Sequence, residues 1–165
     1  MKNHAKHFLF FQLIILISWG SSVEAEIFSG KVIGVSDGDT ITVSVDGVSR
    51  KVRLSGIDCP EKSQAYGQQA KAFTASKSFS KNVKVIASGH DRYKRTLGEV
   101  LLGDGQSLNK LLLQNGYAWW YERFSSDQEK RLLELEARKK KRGLWKDPKA
   151  AAPWDYRKSV KARVH

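Results

Sequence analysis

Between Ile27 and Leu54, apolar and polar residues alternate with the period of two that marks half-buried strands. Val32, Ile33 and Val35 belong to a first run. In a second, Ile41, Val43 and Val45 alternate with Thr42 and Ser44. Val48 to Leu54 returns with Val52 and Leu54 on one face. Asp46-Gly47 between the last two runs is a hairpin-turn dipeptide. Ser36-Asp37-Gly38-Asp39-Thr40 makes another tight turn. Val83 to Ala87 and Leu97 to Leu102 predict a fourth and a fifth strand, joined by a polar, cation-rich loop over 88–95.

Helical spacing appears in three places. Ala65, Ala70, Phe73 and Lys77 predict a helix over 64–80, with Ser63 as its cap. Ser107 to Gln114 predicts a short helix that stops at Asn115-Gly116. Ser126-Asp127-Gln128-Glu129 reads as a capping box opening a last helix, with Leu132, Leu133 and Leu135 as its apolar face and Gly143 at its end. From Lys146 onward two prolines and no periodicity predict a loosely docked tail. Five strands, with one helix after the third and two after the last, predict a β-barrel with helices (α+β): a closed five-stranded barrel of the oligonucleotide-binding type with three helices.

Composition sharpens this picture at both ends of the chain. Lys2, His4, Lys6 and His7 precede an apolar run from Phe8 to Trp19, and small and polar residues lead to Ala25. That is the layout of a secretory signal peptide over 1–25. Twelve helical residues span roughly 18 Å, short of a ~30 Å hydrocarbon core, so cleavage is expected rather than a permanent membrane anchor. The expected organisation is a signal over 1–25, one domain over 26–147 and a C-terminal tail over 148–165. The exported protein, periplasmic or secreted, is expected to be a monomer with no stable protein partner.

The 165 residues carry 29 Lys and Arg against 17 Asp and Glu, a formal charge of +12. Such an excess selects polyanionic partners: nucleic acid, an acidic membrane surface or an acidic polysaccharide. The run Arg138-Lys139-Lys140-Lys141-Arg142 suits a solvated helix end better than a dedicated DNA patch. Cys59 is the single cysteine, so no internal disulfide exists and stability must come from packing. The tryptophans Trp119, Trp120, Trp145 and Trp154 are read as packing residues before base-stacking ones.

The chemistry-bearing residues cluster at turns. Asp37 and Asp39 follow the first strand, Arg53 lies in the third, Asp58 and Glu61 follow it, and Arg95 ends the cationic loop. Taken singly, each has an ordinary role in a turn or on a surface. If the first three strands form an antiparallel meander, Asp39 and Asp58 meet at one end of a hairpin. Two carboxylates that close repel and call for a cation. Oxygen ligands without His or Cys favour a hard ion, Ca²⁺ or Mg²⁺. Arg53 and Arg95 would face a phosphate, and Glu61 could take a proton from an attacking water.

In order, "SDGDT", "VRLSGIDCPE" and "DRYKRTLGEV" resemble the staphylococcal (micrococcal) nuclease, or thermonuclease, family over roughly residues 27–147. The resemblance implies a five-stranded oligonucleotide-binding barrel and Ca²⁺ held by Asp39, Asp58 and the backbone carbonyl of Cys59. It implies Arg53 and Arg95 on the scissile phosphate, Glu61 as general base, and Tyr93 with Tyr121 as nucleotide contacts. Members cleave DNA and RNA with little sequence specificity and leave 3′-phosphate ends. A basic barrel that binds nucleic acid without cutting it is the alternative, although such a protein would not need Arg53, Glu61 and Arg95. The chain departs from the family pattern at Cys59, which stands for a threonine, and at Lys94, which stands for a glycine before the second arginine.

Overall fold

The computed structural model describes residues 25–164. The expected signal segment lies outside them apart from Ala25. The order is β1 (Ile27–Asp37), β2 (Thr40–Val45), β3 (Val48–Leu54), β4 (Ile57–Asp58), α1 (Gly67–Ser78), β5 (Asn82–His90), β6 (Thr96–Leu101), α2 (Leu108–Gln114), β7 (Trp119–Trp120), α3 (Gln128–Lys139) and α4 (Pro153–Val164). Five strands close into a barrel in the order β1-β2-β3-β6-β5. The β3–β6 contact is parallel, and β5 closes antiparallel onto β1. Register shifts along β1 bend it around the barrel. The expected fold class is the observed one, with a fourth helix added.

The alternation of the sequence survives as the inside and outside of the barrel. Val32, Ile41, Val43, Val52, Leu54, Val85 and Val100 are fully buried or nearly so, and Leu108, Leu112 and Leu113 of α2 join the same core. The β2–β3 hairpin turns at Asp46 and Gly47, with φ of 48° and 80°. Two successive positive φ values match the twist of the flanking strands. Buried Asn109 ties α2 to the barrel: its side-chain oxygen accepts from Val100 N, and its amide donates to Ser55 O and Gly98 O.

The helices differ from expectation in instructive ways. α1 starts at Gly67, not 64, and Ser63 does not cap it. Two turns delay the start, with Gln64 N donating to Glu61 O and Gly67 N to Gln64 O. Its buried face is small and polar (Gly67, Ala70, Thr74, Ser78), which lets it sit close to the Asp37–Thr40 turn; Thr74 Oγ1 donates to Gly38 O at 2.5 Å.

α3 is capped by Asp127, which accepts from Glu129 N and Lys130 N, while the Glu129 side chain goes to Lys110. Of its three expected apolar residues only Leu133 packs against the core; Leu132 is 62% and Leu135 47% exposed. Lys130, Glu134 and Ala137 are buried instead. Burial of those charges is tolerated because they are partnered. Lys130 Nζ reaches Glu99 at 2.7 Å, and Glu134 accepts from Trp120 N and Arg138. The guanidinium of Arg138 also lies 3.8 Å from the Trp145 ring centre and 4.5 Å from that of Trp119, so these tryptophans pack as expected.

The tail expected to be loose and aperiodic contains α4. Pro153 suits the first helical position, Asp155 the first turn, and Lys161 and Arg163 the last. No helix among the described residues is long and apolar enough to cross a membrane.

Candidate active site

The hairpin register delivers the first two groups. Thr40 faces Arg53 across β2–β3, and Leu54 N donates to Asp39 O, so the pairing continues one residue beyond the strand. The chain then turns at Gly56, φ 72°, and the short β4–β7 pair sets Asp58 opposite Trp119. The expected meeting of Asp39 and Asp58 follows. Both are buried, at 5% and 2% exposure.

Arg53 lies between them. One guanidinium nitrogen is 3.0 Å from Asp39 Oδ2, and the other donates to Asp58 Oδ1 at 2.8 Å. The first also donates to the carbonyls of Leu54 and Ile57. Arg53 therefore offsets part of the charge of the two carboxylates and stitches the turn between β3 and β4. Asp39 Oδ2 additionally accepts from Cys59 N at 2.6 Å. Burial pushes the Asp39 carboxyl up to about 7, against the pull of Arg53 and with help from Asp37 and Asp58. Burial also works against the Arg53 charge, but Asp39 and Asp58 outweigh it and hold the guanidinium above its usual range.

Arg95 arrives from the loop between β5 and β6. Asp91 shapes that loop: its carboxylate accepts from Tyr93 N, from Arg95 N and from Arg95 Nε at 2.7 Å. Lys94 takes φ 60°, so the left-handed conformation that favours glycine is kept here by a lysine. Arg95 also donates to Thr40 Oγ1, and Thr40 Oγ1 donates to Asp39 Oδ1. The Tyr93 ring is exposed, with the guanidinium carbons of Arg92 and Arg95 4.8 and 5.6 Å from its centre. Tyr121 sits elsewhere, stacked on Trp154 of α4 at 5.2 Å with nearly parallel rings.

Glu61 does not touch Arg53 or Arg95. Its partner is Arg157 of α4, which donates to Glu61 Oε1 at 2.7 Å and to Asp58 Oδ2 at 2.8 Å. Burial opposes the Arg157 charge, but the two carboxylates raise it well above the guanidinium norm. Sequence reasoning missed this residue together with its helix. The clue lay in Pro153 and Asp155 as a helix start, not in any apolar stripe. Asp91 was missed as well; an acid four residues before a loop arginine was the signal for it.

One chain of polar contacts thus links Arg95, Thr40, Asp39, Arg53, Asp58, Arg157 and Glu61. The Cys59 side chain is buried, and burial pushes its thiol well up, which favours the neutral form. Among the described residues no group of three or more His, Cys, Asp and Glu is arranged to hold a metal. Asp39 and Asp58 still fit a hard cation, since they are two buried carboxylates brought within reach of one guanidinium at one end of the hairpin. The remaining ligands of such an ion would come from backbone carbonyls and water.

A barrel of this type, with anchored guanidinium groups and carboxylates at one hairpin end, is the architecture of a nucleic-acid hydrolase. Residues 51–147 match the family described as staphylococcal nuclease homologue, and the chain belongs to that family; it is a nuclease. It is 38% identical to an uncharacterized endonuclease of Escherichia coli O157:H7 over 88% of this chain and 94% of the relative. It is also 38% identical to a micrococcal nuclease of Shigella flexneri, over 81% and 83%. With the protein ParB of Escherichia coli the identity is 41%, over 81% of each chain.

Proposed function

We propose that this nuclease is exported and Ca²⁺-dependent, and that it hydrolyses DNA and RNA with little sequence specificity to leave 3′-phosphate ends. The observation that carries the reading is the contact chain from Arg95 to Glu61, which joins Arg95, Asp39, Arg53, Asp58 and Glu61 in one cluster. Asp39, Asp58 and the Cys59 carbonyl would hold the ion. When bound, Ca²⁺ supplies Lewis-acid polarisation of a phosphoryl oxygen and neutralises charge there.

The chain's own groups account for the rest. Arg53 and Arg95 present planar guanidinium forks to phosphate oxygens and stabilise charge that grows as water attacks phosphorus. Glu61 accepts the proton of that water. A bond from the water oxygen to phosphorus forms, the bond from phosphorus to the 5′-oxygen breaks, and the leaving oxygen takes a proton from solvent. Tyr93, exposed beside Arg95, offers a ring to a nucleotide. Tyr121 is the lesser contact, since one face is covered by Trp154.

A plasmid-relaxation assay with Ca²⁺ and then with chelator tests the reading. Relaxation that stops on chelation is expected. Tight binding without any metal-dependent cutting would leave the non-catalytic barrel as the answer.

A further inference from the structure

Helix α4 lies over the site by one directed contact. Arg157 bridges Asp58, a proposed metal ligand, and Glu61, the proposed base, at 2.8 and 2.7 Å. The rest of its hold is modest. Tyr156 and Ser63 share a hydroxyl contact at 3.0 Å, Gln64 donates to Ala151 O, and Trp154 stacks on Tyr121. Pro153 is buried while residues 157–163 are exposed, so the helix is anchored at its first turn and solvated beyond it. Its Arg157 side chain is 42% exposed.

We propose that Arg157 is a resident counter-cation of the metal site and that α4 is a gate which Ca²⁺ loading must open. This rests on the reading of Asp58 as a Ca²⁺ ligand. A guanidinium 2.8 Å from Asp58 Oδ2 and a divalent ion on the same carboxylate are like charges a few ångströms apart, and they repel. The gate therefore lowers Ca²⁺ affinity by the fraction of molecules in which α4 is open. It also keeps Glu61 charge-paired until the ion arrives. The release of Glu61 and the filling of the metal site become one event, so the base is freed only when the site can use it.

The test is Ca²⁺ binding by calorimetry, paired with hydrogen exchange of residues 154–163, on the full chain and its variants. Arg157→Gln is expected to bind Ca²⁺ about tenfold more tightly, which corresponds to a gate about 90% closed in the wild type. Trp154→Ala loosens the helix without touching its charge and is expected to shift affinity the same way. Ca²⁺ is expected to accelerate exchange in α4 of the wild type. Equal or weaker binding by Arg157→Gln, or α4 exchange that Ca²⁺ leaves unchanged or slows, overturns the gate. Failure of every variant and the wild type to bind Ca²⁺ overturns the metal reading and the gate with it.

Discussion

Arg53 is read above both as a phosphate clamp and as the charge that makes two buried aspartates tolerable, and the second role has a definite thermodynamic signature. Arg53→Met keeps much of the side-chain volume and removes only the guanidinium. Deleting one partner of a buried ion pair typically costs 3–5 kcal/mol, because a charge is left buried alone. Two features pull the expected value to the low end. Asp58 keeps Arg157 at 2.8 Å, and Asp39 keeps the Cys59 N–H at 2.6 Å. Against that, the carbonyls of Leu54 and Ile57 lose a donor. The expected loss is about 3 kcal/mol in chelator, or roughly 6–12 °C in Tm for a domain of this size. Urea unfolding followed by circular dichroism reads it directly. Added Ca²⁺ is expected to narrow the gap, since the variant lacks the guanidinium that competes for Asp39 and Asp58, binds the ion more tightly and so gains more stability by mass action. A loss under 1 kcal/mol, or a gap that Ca²⁺ widens, would refute the assignment of Arg53 as the compensating charge.

Four further outcomes follow from the same geometry. Asp91→Asn should lower the cleavage rate about tenfold or more by freeing Arg95, with Ca²⁺ binding intact; an unchanged rate contradicts the positioning role. Burial raises the Asp91 carboxyl, but N–H donors from Arg95 and Tyr93 outweigh it and hold it below its ordinary 3.8. Its contribution to loop order is therefore complete above 3.8 and is lost only as pH falls through the lower folded value, so a carboxyl ¹³C titration with a midpoint at or above 3.8 argues against it. Gly67→Ala would place a Cβ 1.9 Å from the Glu61 carbonyl oxygen. Kinetics should then show a rate loss of about 10²-fold with the fold retained by circular dichroism, and full activity would remove Gly67 from the support of Glu61. Cys59, buried and with its thiol pushed up, should resist alkylation at neutral pH until the protein is unfolded; labelling of the native protein with loss of activity would contradict its inert role.

How much of this was legible in the sequence depends on how local the determining contacts are. The alternation Ile41-Val43-Val45 and the turn at Asp46-Gly47 define a hairpin, and its register brings Asp39 and Arg53 together, while Asp58 reaches them through the Gly56 turn and the β4–β7 pair. Arg95 was legible as a cation ending a loop, but not its tether to Asp91. The face of α3 was only partly legible: Leu133 packs on the core, but Lys130 and Glu134 are buried by partners far along the chain, at Glu99 and Trp120, whereas Leu132 and Leu135 stay in solvent. The two-residue pairing of β4 with β7 leaves no periodic trace at all. Arg157 was missed for a similar reason: apart from Pro153 and Asp155 at its start, α4 leaves no periodic trace, being held by an aromatic stack, a tyrosine hydroxyl and ion pairs rather than by an apolar stripe.

The most direct measurement of the proposed chemistry is the single-turnover cleavage rate of an end-labelled oligonucleotide at saturating Ca²⁺, wild type beside Glu61→Gln. Glutamine keeps the shape of the side chain and removes its capacity to accept a proton. A fall of about 10²–10⁴-fold, with Ca²⁺ affinity not reduced and wild-type cleavage abolished by chelator, is the predicted result. Equal rates for the two proteins, or wild-type cleavage that survives chelation, would contradict it.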